Sequence, residues 1–169
     1  MFISQFTFLN EDISHDNAIH DINEEAFGPG RFARAAARIR EQGPHDYKHS
    51  YICQDAEQIV GSVRMTPVWI GETKAYLLGP LAVRPSHKSK GVGGKLIELA
   101  LGSIAQADDA LIILVGDFAY YGPKGFYQFA ADDIEFPGPV DQSRILINKE
   151  LAVDEVLSGN VCFRDKKIA

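Results

Sequence analysis

Residues 77–115, LLGPLAVRPSHKSKGVGGKLIELALGSIAQADDALIILV, decide the fold. The β-forming run KAYLLGPLAV, residues 74–83, reads as a strand that Pro85 stops. Glycines 91, 93 and 94 then open a helix over residues 91–107. Val92, Leu96, Leu99 and Ser103 recur on one face of it, and Ile97, Leu101 and Ile104 widen the stripe. The almost wholly apolar ALIILV, residues 110–115, fits a strand buried on both faces. Strand, helix and apolar strand in that order make a βαβ unit, which requires a parallel pair.

Upstream, SYICQ (50–54), QIVGSVRMTPVWI (58–70) and the strand ending at Val83 are joined by short polar connections at Asp55–Glu57 and Gly71–Thr73. Connections that short predict an antiparallel meander. Before it come a first strand in ISQFTFL and a helix from a Ser14 cap to about Phe27. A second helix runs from Arg31 to just before Gly43, with Arg31, Arg34, Arg38 and Arg40 forming a solvated face or, as the alternative, lining a substrate entrance. Downstream, Ala130–Ile134 and Arg144–Glu150 read as further strands, and the DKKIA tail as loosely held. The expectation is one α/β (α+β) domain over residues 1–169, with a mixed, mostly antiparallel sheet.

No stretch approaches the roughly 20 apolar residues that span a bilayer. MFISQFTFLNEDIS lacks the basic start of a secretory signal. Cys53 and Cys162 are too far apart to suggest a disulfide framework or a metal cluster, and they fit small apolar side chains in a reducing cytoplasm. A net charge of −6 argues against a whole-surface nucleic-acid binder. The distribution of charge says more. Although the chain holds 23 acids, none falls between Thr73 and Ile97, where Lys74, Arg84, Lys88, Lys90 and Lys95 stand. A local basic window in an acidic chain suits a compact polyanion.

That window surrounds the glycines, and a glycine-rich helix start turns successive N–H groups toward an anion. A Walker A loop is excluded, because Ser89 and Leu96 occupy positions that need Gly and Ser or Thr; Leu96 also spoils the dinucleotide fingerprint. The segment Lys88-Ser89-Lys90-Gly91-Val92-Gly93, after Leu81-Ala82-Val83-Arg84-Pro85, resembles the coenzyme A loop of the GNAT superfamily. That loop is commonly Gln/Arg-x-x-Gly-x-Gly/Ala, so Lys88 departs from it and offers a point charge without a planar fork. A second motif, Tyr121-Gly122-Pro123-Lys124-Gly125-Phe126, is similar to the Tyr-x-x-x-Gly-Phe that follows the fifth strand in many members. The phrase from Gly116 resembles Gly-Asp-Pro-x-Tyr-Tyr-x-x-x-Gly-Phe of one bacterial group, with Phe118 in place of the Pro.

The resemblance implies a sheet splayed around a thioester site and an acetyl-CoA-dependent N-acetyltransferase without a metal. It implies cofactor contacts from Leu81, Ala82, Val83 and residues 88–94, including Gly94. Backbone N–H groups near Leu81 and Ala82 would face the oxyanion, and Tyr121 would be the acid that protonates the departing thiolate. The acceptor is a small-molecule or protein amine, with no membrane or nucleic-acid partner, and homodimers are common among relatives. The base stays open between Asp117, Glu25, His87 and a water relay, because TKAYLLGPLAV lacks the Glu that many relatives carry. A non-catalytic acyl-CoA-binding module and a protein-interaction domain without cofactor are the rival readings.

Overall fold

The computed structural model describes residues 5–107 and 110–165. Two compact units emerge, residues 1–31, 46–65 and 79–108 in one and residues 32–45, 66–78 and 109–169 in the other. Two long strands, β3 (Gln58–Ile70) and β4 (Thr73–Val83), contribute to both. No helix among the described residues is long and apolar enough to cross a membrane.

In the first unit β1 (Phe6–Asn10) pairs antiparallel with β2 (Tyr51–Asp55), and β2 with the start of β3. Part of the expected first strand, Ile3 and Ser4, lies outside the described residues. Helix α1 (Asp16–Phe27) buries Ile19, Ile22 and Asn23. Asp12, not Ser14, caps its entrance: the Asp12 carboxylate accepts the Ser14 N–H at 2.8 Å and the Ser14 hydroxyl, drawing residues 13–15 into a 3-10 turn first. Arg64 on β3 holds Glu11 and Asp16, both at 2.6 Å, and so ties the sheet to the start of α1. Helix α3 (Val92–Ala107), which follows the shorter α2 (Ala35–Arg40) in the chain, buries Leu96, Ile97, Ala100 and Ile104. Ala100 rather than Leu99 or Leu101 is at the bottom of the stripe. It packs close against β3, since a Cβ on Gly61 would stand 3.0 Å from Val92 Cγ1 and 3.3 Å from Leu96 Cδ1.

In the second unit β3 and β4 are neighbours across the Gly71 turn, where φ is +57°. β5 (Leu111–Val115) joins β4 in parallel through Ala75–Leu77, as the βαβ pattern requires. The order continues to β8 (Ile145–Ile147) and β6 (Tyr127–Gln128), both antiparallel additions. On the far side β9 (Gly159–Phe163) pairs antiparallel with Val68–Ile70, and β7 (Ile134–Glu135) pairs in parallel with β9. Buried Val68, Leu77, Ile113, Ile145 and Val161 form its core.

Three expectations need correction here. Helix α2 spans only Ala35–Arg40, because extended backbone at Arg34 separates it from a 3-10 turn over Pro29–Ala33. Of the strand expected at residues 130–134 only Ile134 is strand, since Asp132 and Asp133 form a turn. The strand expected at 144–150 is confined to Ile145–Ile147: at Asn148 the backbone N–H still donates to the Ile112 carbonyl at 3.1 Å, but the side-chain Oδ1 accepts the Ile112 N–H at 2.7 Å in place of the backbone carbonyl. β9 and β6 were not expected at all. Of the expected C-terminal tail, residues 166–169 lie outside the described residues.

Candidate functional site

In the first unit β4 ends at Val83 with Ala82 buried and Leu81 and Val83 half-buried. A 3-10 turn over Pro85–His87 then carries the chain to an exposed loop at Lys88–Gly91. Left-handed backbone at Ser89 (φ +61°) and Gly91 (φ +84°) curls this loop into the start of α3. The first hydrogen bond of the helix runs from the Lys95 N–H to the Gly91 carbonyl at 3.1 Å. None of the N–H groups of Ser89, Lys90, Gly91, Val92, Gly93 and Gly94 donates to another described residue. Free amides on a curled loop, with the positive end of a 16-residue helix behind them, form an anion cradle.

The basic window divides in two. Arg84 donates to the Ile59 carbonyl at 3.0 Å and pairs with Glu25 at 3.1 Å, and Lys95 pairs with Glu98 at 2.8 Å. Lys88 and Lys90 are exposed and form no ion pair with any described residue, so their charges remain available. His87, one of the candidate bases, is engaged on both ring nitrogens. Its Nε2 lies 2.9 Å from Asp55 Oδ2 and its Nδ1 2.8 Å from Ser86 Oγ, with the Phe6 ring edge-on at 6.0 Å. It anchors the loop to the sheet. Glu25 and His87, two of the candidate bases, thus already have partners.

In the second unit Gly116 ends β5, and Asp117 caps the short helix α4 (Phe118–Tyr121) by accepting the Ala119 N–H at 3.0 Å. Gly116 has no room for a side chain: a Cβ there would meet Tyr121 Cε2 at 2.5 Å. The Tyr121 ring stands edge-on to Tyr120 and Phe126 at 4.9 and 5.8 Å. Burial pushes its phenol up to about 12; Tyr120 adds to the shift, and the guanidiniums of Arg40 and Arg144 oppose it. Such a phenol stays protonated at any physiological pH and can act as a donor. Arg40 therefore reaches the surroundings of this ring and does not belong to a purely solvated face. Lys124 is held over the Tyr120 ring at 3.6 Å and donates to the Tyr120 carbonyl.

A cavity of about 370 Å³ opens at the end of β5, lined by Gly116, Asp117, Phe118, Gln128, Ser143 and Arg144. Three of these residues were not anticipated, since Gln128 comes from the short late strand β6 and Ser143 and Arg144 from the turn before β8. Asp117 is the one candidate base that lines this cavity.

A family model described as the acetyltransferase (GNAT) family matches residues 17–119, and the chain belongs to that family. The uncharacterized N-acetyltransferase YjhQ of Escherichia coli K12 is 28% identical over 143 residues, 82% of this chain and 78% of YjhQ. The uncharacterized N-acetyltransferase YhbS of the same organism is 28% identical over 107 residues, 62% of this chain and 63% of YhbS. The crystal structure of YhbS in complex with CoA superposes with a TM-score of 0.75 at 23% identity, covering 95% of this chain and 90% of that one. A Brucella melitensis GNAT acetyltransferase in complex with acetyl-CoA gives 0.66 at 23%, covering 94% and 96%. These two likenesses bear on the fold.

Proposed function

We propose that residues 1–169 act as one domain that transfers the acetyl group, or another short acyl group, of acetyl-CoA to a primary amine by direct attack, with Tyr121 as general acid. The row of uncommitted amides at residues 89–94 carries this reading, because a pyrophosphate needs many convergent donors and a structural loop does not. The CoA and acetyl-CoA named for the two superposed structures support it by analogy of fold.

Acetyl-CoA supplies an activated acyl carbon and a thiolate leaving group. The residues do the rest. Amides 89–94, with Lys88 and Lys90, hold the pyrophosphate. The Tyr121 phenol supplies the proton that the departing sulfur needs, and the proton lost by the amine passes to solvent by way of Asp117. One C–N bond forms, one C–S bond breaks, and one proton leaves the nitrogen for each one given to sulfur.

Calorimetric titration with CoASH tests the cradle, and thiol release in the presence of an amine panel tests transfer. Binding that Gly91→Val abolishes, with turnover that Tyr121→Phe lowers by about a hundredfold or more, is the expected pair of results. Absence of any heat with CoASH refutes the reading. Binding without product across the panel would instead identify a non-catalytic acyl-CoA module.

A further inference from the structure

Two residues of opposite charge, Asp117 and Arg144, line the cavity at the end of β5. Asp117 accepts the Ala119 N–H with one carboxylate oxygen and forms no ion pair with any described residue. The Arg144 guanidinium makes no hydrogen bond and no ion pair with any described residue. Asp141 is near enough to feel its charge, but its Oδ1 accepts the N–H and hydroxyl of Ser143 and it forms no ion pair with Arg144. The two charges therefore share a cavity without neutralising each other. Phe118, 43% exposed, gives that cavity an apolar side.

From this arrangement we infer that the amine acceptor is an amino acid taken as a zwitterion, its ammonium at Asp117 and its carboxylate on Arg144. The inference rests on the acyltransferase reading and names the acceptor class for it. A guanidinium fork matches a carboxylate with two parallel hydrogen bonds, which a point charge cannot do. The volume is near the lower end of the about 300–1,000 Å³ usual for small-molecule sites, which suits a single amino acid better than a polypeptide segment. Polyamines fit poorly, since the positive charges of Arg144 and Arg40 both act on the adjoining Tyr121 ring. Gly116 lines the cavity and has the Cε2–Cδ2 edge of that ring packed against it, so the cavity adjoins the residue proposed as the acid.

The experiment compares kcat/KM for the standard L-amino acids and their α-amides with acetyl-CoA, with spermidine as a polycation. Direct binding of the same compounds is followed by amide chemical shifts of the CoASH-bound protein. Removing the carboxylate should lower kcat/KM by about ten- to hundredfold, the usual effect of losing a charge-assisted hydrogen bond. Arg144→Met should impose the same loss on the acid and leave the amide almost unchanged, and Arg144→Lys should recover part of it. Equal use of acids and amides, a preference for spermidine, or an equal effect of Arg144→Met on both overturns the inference. If CoASH binds and no amino acid is acylated or shifts the spectrum, this inference fails and the cradle stands. If CoASH itself does not bind, the acyltransferase reading fails, and the spectrum of the free protein with acid against amide decides the zwitterion site alone.

Discussion

Gly116→Ala isolates the packing that places the proposed acid. The Gly116 backbone cannot swing aside, because its N–H donates to the Arg144 carbonyl at 2.9 Å. The new methyl would stand 2.5 Å from Tyr121 Cε2, 2.9 Å from Cδ2 and 3.0 Å from Leu114 Cδ1. Carbons rest at about 3.5 Å or more, so the ring must retreat by about 1 Å. Tyr120 and Phe126 already stand edge-on to it. Overpacking of this kind costs about 1–3 kcal/mol. The alanine also removes freedom from the unfolded chain, which returns about 0.4–1 kcal/mol. The net destabilisation is then up to about 2.6 kcal/mol, centred on about 1.3, or about 3–5 °C in Tm at that centre for a chain of this size. Displacing a reacting group by 1 Å costs about a hundredfold in rate. Scanning calorimetry and thiol-release kinetics read the two effects, while the CoASH dissociation constant should hold, since the cradle shares no residue with this contact. A variant with wild-type Tm and wild-type kcat refutes the reasoning.

Tyr121→Phe should lower kcat by about a hundredfold or more with unchanged CoASH affinity, and an unchanged kcat would remove Tyr121 from the mechanism. The same phenol predicts a pH effect on stability. Its folded pKa, about 12, lies above the ordinary 10, so the stability it carries is complete below pH 10 and is lost as pH rises toward 12. Thermal melts of wild type and Tyr121→Phe should therefore keep a constant gap up to pH 10, and the variant should gain on the wild type above it. Lys88→Ala combined with Lys90→Ala should raise the CoASH dissociation constant by about three- to thirtyfold and flatten its salt dependence, each exposed charge contributing at most about 1 kcal/mol. Lys95→Ala, whose charge already meets Glu98, should change little; equal effects from all three lysines would contradict the division. Cys53 is fully buried and its thiol is pushed up to about 11, chiefly by burial, so iodoacetamide at pH 8 should label Cys162 first. Mass spectrometry showing equal labelling of the folded protein would count against that burial.

The elements legible in the sequence are those whose signals are local. β3 matches the expected residues 58–70, and α3 follows the glycines that announce it, because period, turn residues and breakers all lie within a few positions. The cradle was legible for the same reason: its amides come from consecutive residues. Which cations stay free was not legible, since Arg84 is neutralised by Glu25 across a separation of 59 residues. The late strands failed similarly. β6 has two residues and β8 three, too few for a period, and they exist because β5 offers an edge to Ile145–Ile147 and β8 in turn offers one to Tyr127–Gln128. The late part of the cavity at the end of β5 is built from Gln128 of β6 and from the turn before β8, so its Arg144 could not be read as a site residue. Arg40 was read from its own helix as solvated, although the Tyr121 phenol feels its charge. A family motif can therefore point to Tyr121, while the charges that choose what meets it depend on pairings made far along the chain. Acceptor class is for that reason the property to be read from the folded protein, and Arg144 is where the reading begins.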